Sequence, residues 1–185
     1  MSVTEVFDRI TTFLAQADIP YMLTGSFAAV YYGAPRSTQD IDFVISATPE
    51  QLRTFDRLLP KNEYYLDVQS AIEAQKRESP FNVIDKATGW KIDFIIQKSR
   101  PFSEQEFRRR TEVNFKGVLL FVASAEDVIL SKLEWAKRSQ SQRQIEDVIR
   151  VLNMHRDSLD QMYLQKWINE LELAAEWKAA QSAAG

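Results

Sequence analysis

Apolar residues recur at helical spacing in some stretches of the chain and follow strand-like patterns in others. Five apolar residues of 3–16 recur at helical spacing, which predicts an amphipathic helix at the N-terminus: Val6, Phe7, Ile10, Phe13 and Leu14. The same criteria predict strands over 21–24 and 40–45, and helices over 27–32 and 48–59. Strands and helices therefore alternate in the first third of the chain.

The rest of the chain changes from mixed to purely helical patterning. Strands are predicted over 81–85 and 90–97 with a turn at 87–89, a helix over 103–110, and one strand or two short strands over 114–122. From Ser124 onward the patterns are helical, with breaks near 139–141 and 156–157. We therefore expect an α+β or α/β core over 1–122 and a helical C-terminal lobe over 123–185.

Composition and charge exclude several classes of protein. The chain has 185 residues and a net charge of −3, which excludes proteins that hold nucleic acid by bulk positive charge but not a local basic cleft. Cysteine is absent and His155 is the only histidine, so disulfides and thiolate sites are excluded and histidine-based metal sites are disfavoured. Because no secretory pattern or membrane-length apolar run is present, we expect a cytoplasmic protein without a membrane partner.

Three aspartates interrupt otherwise apolar strands. Asp40 and Asp42 are two positions apart, so both carboxylates lie on one face of their strand. Asp93 lies within the strand predicted over 90–97 and shares its face with Lys91. A carboxylate in a strand that is apolar on both sides is costly to bury, which marks these three residues as candidate catalytic groups.

The three carboxylates converge if the two strands are neighbours. At about 4 Å and an effective dielectric near 20, each like-charge pair costs roughly 4 kcal/mol. A proton or a divalent cation relieves that repulsion, and oxygen-only ligands suit Mg²⁺ or Mn²⁺. The residues leave an alternative open, in which Asp40 caps the strand, Asp42 pairs with a basic residue and Asp93 is unrelated.

A glycine and a serine separate the strand predicted over 21–24 from the helix that follows. Gly25 allows the backbone to approach an anion closely, and the Ser26 hydroxyl adds a hydrogen-bond donor. Backbone N–H groups at the start of a helix also favour anions. The alternative is that Ser26 only caps the helix.

This arrangement resembles the nucleotidyltransferase superfamily, whose fold is shared with the polymerase-beta-like enzymes. The family pattern is Gly-Ser on a helix, Asp-x-Asp on the following strand and a third Asp on a later strand. The matching residues are Gly25, Ser26, Asp40, Asp42 and Asp93. The resemblance implies a mixed β-sheet flanked by helices, and transfer of a nucleoside monophosphate from an NTP to an acceptor hydroxyl.

The resemblance also implies a role for each matching residue. Gly25 and Ser26 would hold the β- and γ-phosphates, Asp40 and Asp42 would bind the nucleotide's Mg²⁺ or Mn²⁺, and Asp93 would share a second ion and help to activate the attacking hydroxyl. All three aspartates are thus predicted to be both catalytic and metal-binding.

Other residues are similar to the bacterial abortive-infection branch, which includes toxins of type IV toxin–antitoxin systems. Arg36 would add charge beside phosphate, although pairing with an acid explains it equally, and Thr38 is either a ligand or a turn-stabilising hydroxyl. In the lobe, Lys132 lies on the apolar stripe of its helix, so it either extends to solvent or reaches an anion. The branch implies that Lys132 contacts the triphosphate and that Asp147 positions it.

The acceptor and partners follow only from this resemblance. An RNA, such as tRNA, or a protein hydroxyl is implied as acceptor, with a cognate antitoxin as partner if the chain is a toxin. A strip of basic residues either follows an RNA backbone or forms a solvated helix face; it comprises Arg100, Arg108, Arg109, Arg110 and Lys116. A catalytically silent nucleotide-binding or regulatory module and an antibiotic-modifying enzyme are the alternatives.

Overall fold

The computed structural model describes residues 2–35, 37–38 and 40–184. The helices of this part are α1 (Val3–Gln16), α2 (Gly25–Tyr31), α3 (Pro49–Leu58), α4 (Val68–Arg77), α5 (Pro101–Arg108), α6 (Ala125–Ser139), α7 (Gln142–His155), α8 (Gln161–Glu170) and α9 (Ala174–Ala183). The strands are β1 (Tyr21–Thr24), β2 (Asp40–Ile45), β3 (Tyr64–Tyr65), β4 (Pro80–Asp85), β5 (Lys91–Ile96), β6 (Thr111–Phe115) and β7 (Val118–Val122). Within these described ranges, no helix is both long enough and apolar enough to cross a bilayer.

The strands form one mixed sheet in the order β3-β4-β5-β2-β1-β7-β6. The pairs β2–β5 and β1–β7 are parallel, and the other neighbouring strands are antiparallel. Helices precede, interrupt and follow this sheet, so the predicted α+β fold with a mixed sheet is confirmed. The adjacency of β2 and β5, on which the convergence of the aspartates depended, is also present.

One face of β2 and β5 belongs to the hydrophobic core. Phe43 of β2 and Phe94 of β5 are stacked with ring centroids 6.0 Å apart, and Phe7 of α1 meets Phe43 edge to face at 6.3 Å. Because side chains alternate along a strand, burying these rings turns Asp42 and Asp93 to the opposite face. The apolar positions therefore fix the direction of the acidic ones.

Two hairpins complete the sheet. β4 and β5 are joined by a turn in which the Asp85 carboxylate accepts hydrogen bonds from the backbone N–H groups of Ala87 and Thr88. The region predicted as one strand or two around Gly117 is the second hairpin, β6–β7. The short strand β3 was not predicted, since two residues carry no alternation signal.

The lobe contains the helices α6 to α9. Ser124 caps α6 by accepting a hydrogen bond from the Asp127 N–H, and Asp160 caps α8 through the Tyr163 N–H. The predicted breaks near 139–141 and 156–157 are present, whereas the break between α8 and α9 was not predicted.

A partly buried junction cluster, formed by Arg109, Glu126, Asp127 and Tyr163, ties the lobe to the core. The Arg109 Nη2 atom lies 3.0 Å from Glu126 Oε2, and its Nε lies 3.3 Å from Asp127 Oδ2. The Tyr163 hydroxyl donates to Asp127 Oδ1 at 2.6 Å, while the guanidinium lies 3.8 Å from the Tyr163 ring centroid. The division into 1–122 and 123–185 stays a prediction, with charged contacts bridging it.

Candidate active site

Two of the predicted carboxylates lie side by side on the open face of the sheet. Asp42 of β2 is directly opposite Asp93 of β5 in the parallel register, and Asp40 is opposite Lys91. On the other side of β2, Asp42 is opposite Thr24, the last residue before α2. The register thus brings the Asp-x-Asp strand, the third aspartate and the Gly-Ser turn together.

Asp42 is packed against the start of α2. Gly25 has a φ of +63°, and a Cβ atom at this position would lie 2.7 Å from the Asp42 carboxyl carbon and closer still to one carboxylate oxygen. Both observations exclude a side chain at position 25. The Ser26 N–H donates a hydrogen bond to the Asp42 carboxylate. Glycine is therefore needed here for the approach of Asp42, and the Ser26 amide is already engaged.

The electrostatics of Asp42 are those of a poorly compensated carboxylate. Its pKa is raised to about 6, first by burial and then by the charge of Asp93, with a smaller contribution from Asp40. The Ser26 N–H and the Lys132 ammonium act in the opposite direction. The two acidic neighbours thus repel a negative charge on Asp42, as expected for converging carboxylates.

Asp93 has a basic partner in its own strand. Lys91 Nζ lies 2.7 Å from Asp93 Oδ2, with 44% of the Lys91 side chain and 23% of the Asp93 side chain exposed. The pKa of Lys91 is raised, chiefly by its hydrogen bond to Asp93 and further by the charges of Asp93, Asp40 and Asp42. The lysine therefore acts on all three carboxylates.

Ser26 does not cap the helix, so that alternative is wrong. The N-cap of α2 is Thr24, and Ser26 is the second helical residue. Ser26 is buried and lines the cleft described below. Its hydroxyl group is consequently available to the cleft by position, whereas its amide serves Asp42.

Lys132 and Asp147 meet in the lobe, as the resemblance implied. Lys132 Nζ lies 2.8 Å from Asp147 Oδ2 and 3.0 Å from Gln144 Oε1, and both charged side chains are almost fully buried. Lys132 also lines the cleft and lowers the pKa of Asp42. Lys132 is only 3% exposed, so the alternative of a lysine extended into solvent is wrong. Its contact with the triphosphate stays a prediction.

A cleft of about 440 Å³ separates the sheet from α5 and α6. Its apolar walls come from Val44 and Ile95 on the sheet and from Val128 and Trp135 on α6. The polar residues of its lining include Ser26, Asp42, Glu78, Arg100, Glu106, Ser131, Lys132, Glu134 and Gln144. The cleft thus opens from the Gly-Ser turn and Asp42 towards the lobe.

Glu106 is a buried carboxyl group within this cleft. Ser131 Oγ donates to Glu106 Oε1 at 2.7 Å. Burial is the main reason that the pKa of Glu106 rises to about 8, and the charges of Asp127 and Glu134 raise it further. Near pH 7 the group is largely protonated, so it can donate as well as accept a hydrogen bond.

The remaining predicted residues lie near the cleft or outside the described chain. Asp40 is exposed at the start of β2. Thr38 Oγ1 donates to the Asp40 carbonyl and accepts from the Asp40 N–H, both at 3.3 Å, so the turn-stabilising alternative matches its contacts. Arg36 lies outside the described residues. The nucleotide-binding roles of Thr38 and Arg36 stay predictions.

Three arginines of the basic strip contact other groups of the protein, whereas the Arg108 side chain is 68% exposed. Arg109 belongs to the junction cluster, and Arg110 Nη1 donates to the Phe107 carbonyl at 2.5 Å. Arg100, which does line the cleft, binds Glu134, with its Nη1 atom 2.7 Å from Glu134 Oε1. These guanidinium groups are committed to contacts within the protein.

The donor set suits a divalent cation, although no complete cage is assembled. Across the described ranges, no group of three His, Cys, Asp or Glu side chains is close enough together to hold a metal ion. Asp42 and Asp93 are nevertheless adjacent oxygen donors, and burial, followed by the charge of Asp93, raises the pKa of Asp42. A hard cation that also binds substrate phosphates fits such a pair.

Sequence reasoning missed three contributors to the site. The Lys91–Asp93 ion pair could have been predicted from the sequence, because residues two positions apart in a strand share a face. Trp135 is 58% exposed on the cleft wall, and no pattern in the sequence distinguished it from a packing residue. Glu106 gave no signal, since its burial depends on contacts with α6, which follows it in the chain.

Solved structures with this fold include an antigenic nucleotidyltransferase-like protein from Paracoccidioides brasiliensis. It superposes with a TM-score of 0.59 at 17% identity, over 97% of this chain and 91% of its own. The fold is that of the nucleotidyltransferases. The antibiotic-resistance factor ANT(2″)-Ia, in complex with adenylyl-2″-tobramycin, gives a TM-score of 0.57 at 13% identity, over 92% and 96% of the two chains. The lincosamide antibiotic adenylyltransferase LnuA, bound to lincomycin, gives a TM-score of 0.56 at 12% identity, over 82% of this chain and 96% of its own.

The nucleotidyltransferase fold is thus shared at low sequence identity. No protein-family model and no curated protein sequence matches the chain. The predicted resemblance to the nucleotidyltransferase superfamily is confirmed at the level of the fold. The chemistry of the cleft is therefore argued from the residues of this chain.

Proposed function

We propose that this protein is a metal-dependent nucleotidyltransferase. An acceptor hydroxyl oxygen forms a bond to the α-phosphorus of an NTP, the bond from that phosphorus to the β-phosphate oxygen breaks, and pyrophosphate leaves with the electron pair. The observation that carries the proposal is the register of β2 and β5, which sets Asp42 beside Asp93 at the Gly-Ser turn. A fold shared with nucleotidyltransferases supports the same chemistry.

The residues around the cleft divide the work of binding the nucleotide. Gly25 allows close approach at the turn, and the Ser26 hydroxyl offers a donor to the β- and γ-phosphates. Lys132 contributes positive charge from the lobe side, and Asp147 holds the lysine in place. Because Lys132 is buried within a hydrogen-bonded pair, its position is fixed before any ligand binds.

The carboxylates would hold Mg²⁺ or Mn²⁺. Asp42 lines the cleft that would hold the nucleotide, Asp40 shares its strand face, and Asp93, beside Asp42, would accept the proton of the attacking hydroxyl. A bound divalent cation supplies positive charge to the phosphates during transfer. The raised pKa of Asp42 supports this assignment, since a cation stabilises the ionised form that the neighbouring charges oppose.

The cleft favours a small hydroxylated molecule as the acceptor. It combines apolar walls with Glu106, a largely neutral carboxyl that can donate or accept a hydrogen bond. Two of the similar structures hold a small molecule, lincomycin in one and adenylyl-2″-tobramycin in the other. Arg109 and Arg110, which an RNA acceptor would have used, are engaged inside the protein.

RNA or protein acceptors belong to the toxin interpretation. That interpretation comes from the sequence resemblance of the Arg36 and Thr38 region and of the lobe, and it adds a cognate antitoxin as partner. It makes a distinct prediction, namely that label from an NTP enters macromolecules. The acceptor class is therefore decided by where the label appears.

A catalytically silent nucleotide-binding module is the second candidate. The observation that favours it is the ion pair between Lys91 and Asp93, since a carboxylate held by a permanent basic partner is lost to catalysis. The pair engages Asp93 Oδ2, however, and does not include Asp42, the carboxylate that would hold the cation. The two candidates differ in whether bound NTP turns over.

The deciding experiment supplies each α-labelled NTP with Mg²⁺ and three acceptor pools: small-molecule extract, total RNA and soluble protein. Label in a new small-molecule product that separates chromatographically from the NTP and its hydrolysis products supports the proposed acceptor, and label in RNA or protein supports the toxin interpretation. Saturable NTP binding without transfer supports the silent module. The Asp93→Asn variant serves as the matched control, because it leaves the packing against Gly25 untouched.

A further inference from the structure

Lys91 places a positive charge inside the carboxylate site. It is the in-register neighbour of Asp40, and its ammonium lies 2.7 Å from Asp93 Oδ2. Asp42, opposite Asp93, completes the group of charges that acts on the lysine. The ammonium thus already contacts Asp93 Oδ2, an oxygen that a second cation bound to Asp93 would need as a ligand.

The formal charge of this group matches one divalent cation. Three carboxylates and one ammonium carry two negative charges in total, which a single Mg²⁺ or Mn²⁺ neutralises. A second divalent cation on Asp93 would stand within a few ångströms of the ammonium, and like charges at that distance repel strongly. Without the lysine, the same carboxylates would match the usual two-ion arrangement better.

We propose that the Lys91 ammonium takes the place of a second metal ion, so that this site binds one divalent cation rather than a pair. The inference rests on the proposed function for its role in transfer. The lysine neutralises Asp93 and remains beside the other carboxylates while one cation binds at Asp42. The ion pair that would silence a two-ion enzyme thereby becomes part of a one-ion site.

The role differs from that of an ordinary surface ion pair. An exposed lysine–aspartate pair contributes little to stability, and removing it would leave metal binding unchanged or weaker. A lysine that excludes a cation has the opposite signature, because its removal creates a binding site. Metal stoichiometry therefore separates the two roles without reference to activity.

The test counts Mn²⁺ ions on the full chain by electron paramagnetic resonance, without nucleotide. Loss of the aqueous Mn²⁺ signal gives the number bound, and two ions about 3.5–4 Å apart give an exchange-coupled spectrum. We expect one uncoupled Mn²⁺ in the wild type and two coupled ions in Lys91→Met. Lys91→Arg should retain one ion. Lys86→Met, which removes a lysine bonded to the Lys61 carbonyl in the same hairpin, should also retain one.

Several results would overturn the inference. A coupled pair in the wild type, an unchanged single ion in Lys91→Met, or Mn²⁺ binding that survives Asp42→Asn would each contradict it. If label transfer occurs and the wild type binds a coupled pair, this inference fails alone. If transfer is absent while Lys91→Met gains its second ion, the proposed function fails and the one-ion site remains.

Discussion

The negative charge of two groups of acidic side chains in this protein is compensated to different extents. In the junction cluster, the fully buried Asp127 accepts hydrogen bonds from Ser124, Tyr163 and Arg109. In the candidate active site, Asp42 has the Ser26 N–H and faces Asp93. The first arrangement is complete in the folded chain, whereas the second is left with repulsion that a ligand can relieve. Burial alone therefore does not distinguish a structural acid from a catalytic one; its partners do.

The largest expected effect is the loss of transfer in Asp42→Asn. Removing the charge should lower the rate of nucleotidyl transfer by about 10³-fold, or about 4 kcal/mol, because the cation loses its central ligand. The free energy of unfolding should stay the same or rise, since a repulsive charge is removed while the amide oxygen can still accept from Ser26. Transfer assays and urea denaturation of the same preparation measure both. An active or strongly destabilised variant would contradict the metal role.

Asp127→Asn should give the reverse pattern. The variant disrupts a satisfied buried network, which should reduce the free energy of unfolding by about 2–4 kcal/mol. Transfer measured well below the melting temperature should change little, because Asp127 is outside the cleft lining. Urea denaturation and transfer assays give the two values. Equal stability of this variant and the wild type would remove the contrast between the two groups.

The pH dependence of stability should carry a measurable contribution from Asp42. The pKa of Asp42 in the folded protein, about 6, is above its usual value of 3.8. The folded state therefore holds the proton more tightly, and stability from this group is lost as pH rises from about 4 to about 6, by at most about 3 kcal/mol. Subtracting the Asp42→Asn profile should isolate this loss, and Mg²⁺ should reduce it. Parallel stability–pH profiles of the wild type and Asp42→Asn would show that the pKa of Asp42 is not raised by folding.

Lys132→Ala tests the boundary between structure and binding. NTP affinity should fall about 10- to 100-fold, or about 1.4–2.7 kcal/mol, because a fixed positive charge is lost beside the cleft. Isothermal titration with each NTP measures it, with circular dichroism to confirm folding. Lys137→Ala, on the same helix as Lys132, is the control, because the Lys137 ammonium bonds to the carbonyls of Leu171 and Glu172. An unchanged titration would assign Lys132 to packing.

The smallest expected effect concerns Trp135, the exposed aromatic side chain on the cleft wall. NTP should quench tryptophan fluorescence in the wild type, and Trp135→Phe should lose most of that quenching with only about 0.5–1 kcal/mol of affinity lost. Trp167→Phe, which changes a side chain buried inside the lobe, should keep the quenching. Quenching that persists without Trp135 would place the nucleotide elsewhere in the cleft.

Sequence patterns predicted the site well where a residue's neighbours are set by its own element. Alternation along β2 and β5 placed Asp42 and Asp93 on one face, and the helical projection placed Lys132 on the buried side of α6. The junction cluster could not be predicted, because Asp127 meets Arg109 and Tyr163, which are 18 and 36 residues away. Ion pairing between elements depends on packing that no local pattern encodes.

The contacts of α5 with α6 set a limit on how this cleft adapts to its ligands. Arg100, Glu106 and Arg109 reach α6 at Glu134, at Ser131 and at the Glu126–Asp127 pair, which fastens the lobe to the sheet-bearing core along the length of the helix. Because these contacts form when the chain folds, the width of the cleft available to an acceptor is set before any ligand binds. Divergence towards new acceptors would then proceed by replacing lining side chains, and the exposed Trp135 is a position where such a change leaves the core intact.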